Sequence, residues 1–82
     1  MWYTYILKSR DRKWYYVGST NRLKIRLDEH NNGKVKSTRG YLPFDVVFQK
    51  EFTLEKEARN YERLLKDKRI EKEKIIKLIE NK

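Results

Sequence analysis

Apolar and polar positions alternate on a two-residue period through WYTYILK (2–8) and again through WYYVGST (14–20), with the polar, turn-forming SRDR segment between them. That pattern predicts two strands joined as a hairpin. Pairing Lys8 with Lys13 across a four-residue loop sets Leu7 opposite Trp14 and Tyr5 opposite Tyr16, so that two phenols stand side by side on one sheet face. Gly18 follows on that same face, where the missing side chain leaves room for another group's backbone or a phosphate to approach. A third alternating run, FDVVFQKEF (44–52), predicts a further strand with Val46, Phe48 and Phe52 facing one way.

Elsewhere the period lengthens to three and four. Thr20 or Asn21 is placed to cap a helix through RLKIRLDEHNN (22–32), and Gly33 to end it in the left-handed conformation. Leu23, Leu27 and His30 share one face of that helix, with Ile25 on its flank. Arg26 and His30, four apart, project from adjacent turns beside the apolar stripe and so close to the sheet. KVKSTRGYLP (34–43) reads as a loop. Thr53 is expected to cap a second helix from about 54 to 66, with Leu54, Ala58, Tyr61 and Leu65 as its inward stripe and Glu62 beside it. Ile75, Leu78 and Ile79 mark a third helix over about 70–80. Its junction with the second holds neither Gly nor Pro, so two helices or one long bent helix satisfy the pattern. The fold expected is an α/β domain with a three-stranded, mainly antiparallel sheet flanked by helices, a single domain over 1–82 with its core in about the first 66 residues.

Composition narrows the chemistry. At 82 residues the chain must build an economical core, and two Trp, six Tyr and three Phe help to fill it. The absence of cysteine removes disulfides and thiolate metal sites. No apolar run has the length of a signal-peptide core or a membrane span, which places the chain, as an expectation, in the cytoplasm. Twenty-one Lys and Arg against twelve Asp and Glu leave +9, spread along the chain rather than confined to a tail. Neutralising phosphates releases condensed counterions, so nucleic acid is the partner class this charge favours. No helix combines a wide apolar face with a basic one, which argues against a membrane surface.

In order, spacing and residue type, five segments together resemble the GIY-YIG nuclease superfamily. YTY (3–5) stands in the place of the first motif and YVG (16–18) matches the second; RLDEH (26–30), STRGYLP (37–43) and EARNYERLLK (57–66) agree with the family's downstream pattern. The likeness runs over about the first 66 residues and is greatest to the small stand-alone bacterial members that are nearly all catalytic domain.

The resemblance implies that Tyr5 and Tyr16 are the motif tyrosines, Arg26 the catalytic arginine, His30 its partner, and Glu62 the ligand of one divalent cation, Mg²⁺ or Mn²⁺. Such a hard ion suits a carboxylate and keeps several waters. An arginine fork suits the charge that grows on a scissile phosphate. Ser19, Lys24, Lys36, Thr38 and Arg39 are expected to contact the nucleic acid, DNA rather than RNA. Three departures stand out: the first motif lacks its Gly and Ile, position 19 is Ser where several active nucleases carry Lys or His, and the late Asn that supports the metal site in some members has no clear counterpart after Glu62. The function expected is metal-dependent hydrolysis of phosphodiester bonds in DNA, structure-selective and serving repair or recombination. The alternatives are a nucleic-acid-binding module that grips without cleaving, and a protein-interaction domain with an exposed lysine-rich helix.

Overall fold

One long aromatic strand runs through the centre of a three-stranded sheet, in a computed structural model that describes residues 1–81. β1 (Trp2–Ser9) lies between β2 (Tyr15–Thr20) and β3 (Phe44–Phe52), giving the sheet order β2-β1-β3 with both pairings antiparallel. Helix α1 (Leu23–Asn31) packs on one face; α2 (Glu55–Asp67) and α3 (Arg69–Glu80) cover the other. This is the α/β arrangement that the alternation of periods predicts. No helix among the described residues is long and apolar enough to cross a membrane.

The hairpin forms in a different register from the one the four-residue loop suggests. Lys8 pairs with Tyr15, Leu7 with Tyr16 and Tyr5 with Gly18. The reason lies in the loop, which closes between Ser9 N–H and the Trp14 carbonyl at 3.0 Å. Ser9 is fully buried; its hydroxyl donates to the Tyr41 carbonyl at 2.6 Å and accepts from the Arg12 amide at 3.2 Å, and so organises a longer turn from inside. A shift of two residues preserves which face each side chain occupies. Tyr5 and Tyr16 therefore stay on one face as diagonal neighbours, with ring centroids 6.4 Å apart.

Each sheet face carries its own apolar cluster. Tyr5, Leu7 and Phe44 form the first, joined by Leu23 and Leu27 of α1 and by Trp14, Tyr16, Tyr41 and Val46. Ile6, Val17 and Leu65 form the second, joined by Tyr61, Ile75 and Phe48. Val46 and Phe48 thus face opposite ways, contrary to simple alternation. The ladder pairs Ile6 with Phe48 but Leu7 with Val46, so Val47 is an extra residue in a β-bulge that reverses the facing of the strand beyond it.

The helix ends differ in detail from the pattern. Arg22, not Thr20 or Asn21, precedes α1, while the Thr20 hydroxyl accepts from the Arg22 amide at 3.0 Å. Gly33 does adopt positive φ, +74°. At the start of α2 the flanking residue is Leu54 rather than Thr53, and the Glu57 carboxylate accepts from the Leu54 amide at 3.3 Å. Leu54 consequently sits exposed outside the inward stripe, whereas Ala58 and Leu65 are buried. Lys68, with φ −101° and ψ 82°, breaks the chain into two helices, and Leu78 points to solvent while Ile75 reaches the core. Asn31 fastens α1 to the sheet: its amide oxygen accepts from Phe44 N–H at 2.6 Å and its NH₂ donates to the Phe44 carbonyl at 3.2 Å, as a neighbouring strand would.

Candidate active site

A cavity of about 500 Å³ opens beside edge strand β2, between α1 and α2. Tyr5 reaches it from β1, Tyr16, Gly18 and Ser19 from β2, Arg22, Ile25, Arg26 and Glu29 from α1 and the turn before it, and Arg59 and Glu62 from α2. The helical spacings account for this convergence. Arg22, Ile25, Arg26 and Glu29 recur at three- and four-residue steps, and so do Arg59 and Glu62, so each helix turns one stripe toward the gap. Three guanidinium groups against two carboxylates leave the lining cationic.

Tyr5 is the buried wall of this cavity. Its phenol lies over Gly18, where a Cβ would fall 2.5 Å from the hydroxyl oxygen. The space left by the glycine is therefore taken by Tyr5 itself and not by an incoming backbone or phosphate, correcting the expectation for that residue. Burial pushes Tyr5 up to about 12, the neighbouring Tyr16 adds to the rise, and the Arg26 guanidinium opposes it. The phenol is protonated at neutral pH.

Behind Tyr5 sits His30, fully buried, with Nε2 3.3 Å from the Tyr5 hydroxyl and Nδ1 2.8 Å from the Thr38 hydroxyl. Its ring packs against Tyr16 at 5.0 Å and Phe44 at 6.0 Å between centroids. Burial, reinforced by the positive charge of Arg26, lowers His30 to about 4 despite the opposing pull of Glu29, so the imidazole is neutral at physiological pH. Arg26 itself pairs with Glu29 at 3.3 Å and stays partly open to the cavity.

Glu62 projects past the edge of the sheet. The Ser19 hydroxyl donates to its Oε1, and Lys66 Nζ donates to Oε2 at 2.7 Å. The same ammonium lies 5.8 Å from the centroid of the Tyr16 ring. Lys66 thus marks a place where a cation already sits against this carboxylate. Its own side chain is 49% exposed and long enough to swing away. Among the described residues no cluster of three or more His, Asp or Glu side chains forms a metal cage. One carboxylate facing an open polar cavity fits a hydrated divalent ion that keeps most of its waters, as Mg²⁺ does.

Of the residues singled out in the sequence, Tyr5, Tyr16, Ser19, Arg26 and Glu62 meet at this cavity, and His30 backs Tyr5. Lys24, Lys36 and Arg39 are exposed but do not line it. Thr38 is fully buried against His30 and cannot touch nucleic acid from there; the 3-10 turn Arg39–Tyr41 that follows it folds its side chain inward. Arg22, Glu29 and Arg59 line the cavity without having been marked as candidates. The three- and four-residue spacing of Arg22 and Glu29 from Arg26, and of Arg59 from Glu62, carried that signal.

Residues 1–75 match the family described as the GIY-YIG catalytic domain, and the chain belongs to that family. Within it, the chain is similar to small UPF0213 proteins of bacteria. It is 44% identical to one from Oceanobacillus iheyensis over 80 residues, covering 95% of this chain and 92% of the relative. It is 41% identical to another from Streptococcus pneumoniae, over 90% of this chain and 76% of the relative. The solution NMR structure of a UPF0213 protein from Bacillus halodurans matches with a TM-score of 0.57 and 36% identity, covering 95% of this chain and 85% of that one.

Proposed function

We propose that this protein is a divalent-metal-dependent endonuclease that hydrolyses phosphodiester bonds in DNA, with the 82 residues acting as one catalytic domain in the cytoplasm. The observation that carries the reading is the convergence of Tyr16, Tyr5, Arg26 and Glu62, from four different elements, on one cationic cavity. Glu62 would hold Mg²⁺ or Mn²⁺, which when bound supplies charge for a phosphate oxygen and acidifies a coordinated water. Arg26 presents a permanently charged fork to the phosphate, where its donors matter most as charge builds in the transition state. Tyr16, at the rim and beside Lys66, is placed to take part in proton transfer. Tyr5, held protonated and backed by His30, is placed to orient a water. Ser19 steadies the Glu62 carboxylate.

The family supplies nucleic acid as the partner class, and the net charge of +9 agrees with it. Phosphate contacts carry no base sequence, so shape, ends or branches are the features such a cationic cavity reads, which suits a role in repair or recombination. A second reading, a module that binds nucleic acid without cutting it, is favoured by one observation: Lys66 already neutralises Glu62.

A cleavage assay separates the two. Linear, nicked, flapped and single-stranded substrates are incubated with Mg²⁺ or Mn²⁺ and either the wild-type protein or Glu62→Gln. The nuclease reading expects metal-supported cleavage by the wild type and none by Glu62→Gln, with DNA affinity nearly unchanged because the basic surface is intact. Arg26→Ala should likewise lose turnover more than affinity. Equal cleavage by wild type and Glu62→Gln would point to another site or a contaminant; binding without cleavage on every substrate would favour the module.

A further inference from the structure

We infer that Thr38 is a positioning residue for the proposed reaction: its buried hydroxyl fixes the tautomer of His30 and thereby makes the Tyr5 oxygen an acceptor toward the cavity. The inference rests on the nuclease reading for its consequence, but not for its geometry.

Four groups form a continuous hydrogen-bonded row. The Thr38 hydroxyl lies 3.3 Å from the Val35 carbonyl and 2.8 Å from His30 Nδ1, and His30 Nε2 lies 3.3 Å from the Tyr5 hydroxyl. His30 and Thr38 are fully buried, so water does not compete for the bonds between them, while Tyr5 is buried except where it lines the cavity. The two ends of the row set its direction. A carbonyl oxygen can only accept, so the Thr38 hydroxyl donates to Val35 and its oxygen accepts from His30 Nδ1–H. At the other end stands Arg26, whose guanidinium can only donate and which shares the cavity wall with Tyr5.

A neutral imidazole with its proton on Nδ1 has a lone pair on Nε2, and the Tyr5 O–H donates into it. The Tyr5 oxygen then turns its lone pairs outward, toward Arg26 and the cavity. The reverse order would have Thr38 donate to Nδ1 and Nε2–H donate to Tyr5. It would take the Thr38 hydroxyl off the Val35 carbonyl, which would keep only the Thr38 amide at 3.1 Å, and would turn the Tyr5 O–H toward a cavity wall where Arg26 can only donate. The donor-only Arg26 end favours the first direction, and the Thr38 hydroxyl contact to Val35 agrees with it.

The consequence is chemical. An outward-facing phenol lone pair can accept a hydrogen bond from a bound water and so turn that water's own lone pair toward a phosphorus atom. With the opposite tautomer Tyr5 would present a proton and orient the water the wrong way. Thr38 touches neither substrate nor water; it acts through His30.

The chain contains one histidine, so a ¹⁵N NMR spectrum of its imidazole reports His30 without assignment ambiguity. The wild-type protein, without DNA or metal, should show the Nδ1–H tautomer. Thr38→Val keeps the side-chain shape and removes the acceptor; it should shift the spectrum toward Nε2–H and lower kcat roughly tenfold, the scale of one hydrogen bond, with KM little changed. Thr38→Ser should restore both. An Nε2–H spectrum in the wild type, an unchanged tautomer in Thr38→Val, or an unchanged kcat beside a shifted tautomer would each overturn the inference. If Thr38→Val does not fold, the wild-type spectrum and Thr38→Ser still decide the tautomer. A wild type that shows Nδ1–H yet cuts no substrate overturns the nuclease reading and the positioning role with it, while the hydrogen-bond order stands.

Discussion

Tyr5 and Gly18 face each other across the β1–β2 ladder, and the phenol occupies the volume that any larger side chain at position 18 would need. A Cβ there would lie 2.5 Å from the Tyr5 hydroxyl oxygen, 2.7 Å from Cζ and 3.1 Å from a ring carbon of Tyr16. Those distances are well inside van der Waals contact, and the Tyr5 ring is boxed in by His30 behind it. Gly18→Ala is therefore expected to push the phenol off His30, lowering stability by about 1–3 kcal/mol as in other overpacked sites. Thermal unfolding measures the cost. A fully stable Gly18→Ala whose His30 spectrum is that of the wild type would refute the packing constraint.

The two phenols should respond differently to loss of their hydroxyls. Tyr5→Phe leaves the buried His30 nitrogen without a partner, costing about 1–3 kcal/mol. Tyr16 is only half-buried, and its hydroxyl has no protein partner among the described residues, so Tyr16→Phe should stay within about 0.5 kcal/mol of the wild type. On the proposed reading both variants lose cleavage, but only Tyr16→Phe does so at wild-type stability. Denaturant melts alongside single-turnover rates test this; a destabilised Tyr16→Phe with a wild-type Tyr5→Phe would reverse the assignment.

Stability should depend on the charge state of His30. In the unfolded chain the imidazole titrates near 6.5, whereas in the folded protein burial first and Arg26 second lower it to about 4. The unfolded state thus binds more protons between these values. The contribution is complete above about pH 6.5 and is lost as pH falls toward about 4, on the order of 3 kcal/mol in all. Compared with His30→Gln, the wild type should show an additional fall in unfolding free energy from about pH 7 to about pH 4.5. Parallel pH profiles for the two proteins would contradict it.

Nucleic-acid affinity should be strongly salt-dependent. A chain of net charge +9 whose cavity presents Arg22, Arg26 and Arg59 binds chiefly by neutralising phosphates. The logarithm of the association constant should fall with the logarithm of salt by about 0.9 for each phosphate contacted on duplex DNA. Arg22→Gln, at a cavity residue with no ion-pair partner among the described residues, should reduce that slope by about one. Binding that is flat in a salt titration would exclude this surface as the main contact.

Local patterning was sufficient for the elements themselves. Period-two alternation located β1, β2 and β3, and the three- and four-residue spacing located the helical segments but left open whether the last two were separate, because these periods follow from backbone geometry whatever the surroundings. It also put Tyr5 and Tyr16 on one face, since a register error of two residues does not change facing. The register, the bulge at Val47 and the fates of Thr38 and Gly18 were settled only in three dimensions. Each depends on a group distant in the chain: the Tyr41 carbonyl that takes the Ser9 hydroxyl, the Ile6 and Leu7 partners that leave Val47 unpaired, the His30 ring that draws Thr38 inward, and the Tyr5 phenol that fills the space over Gly18. A serine, a threonine or a glycine carries little local preference beyond turns and caps. Its role is set by which buried donor, acceptor or ring the folded chain brings against it.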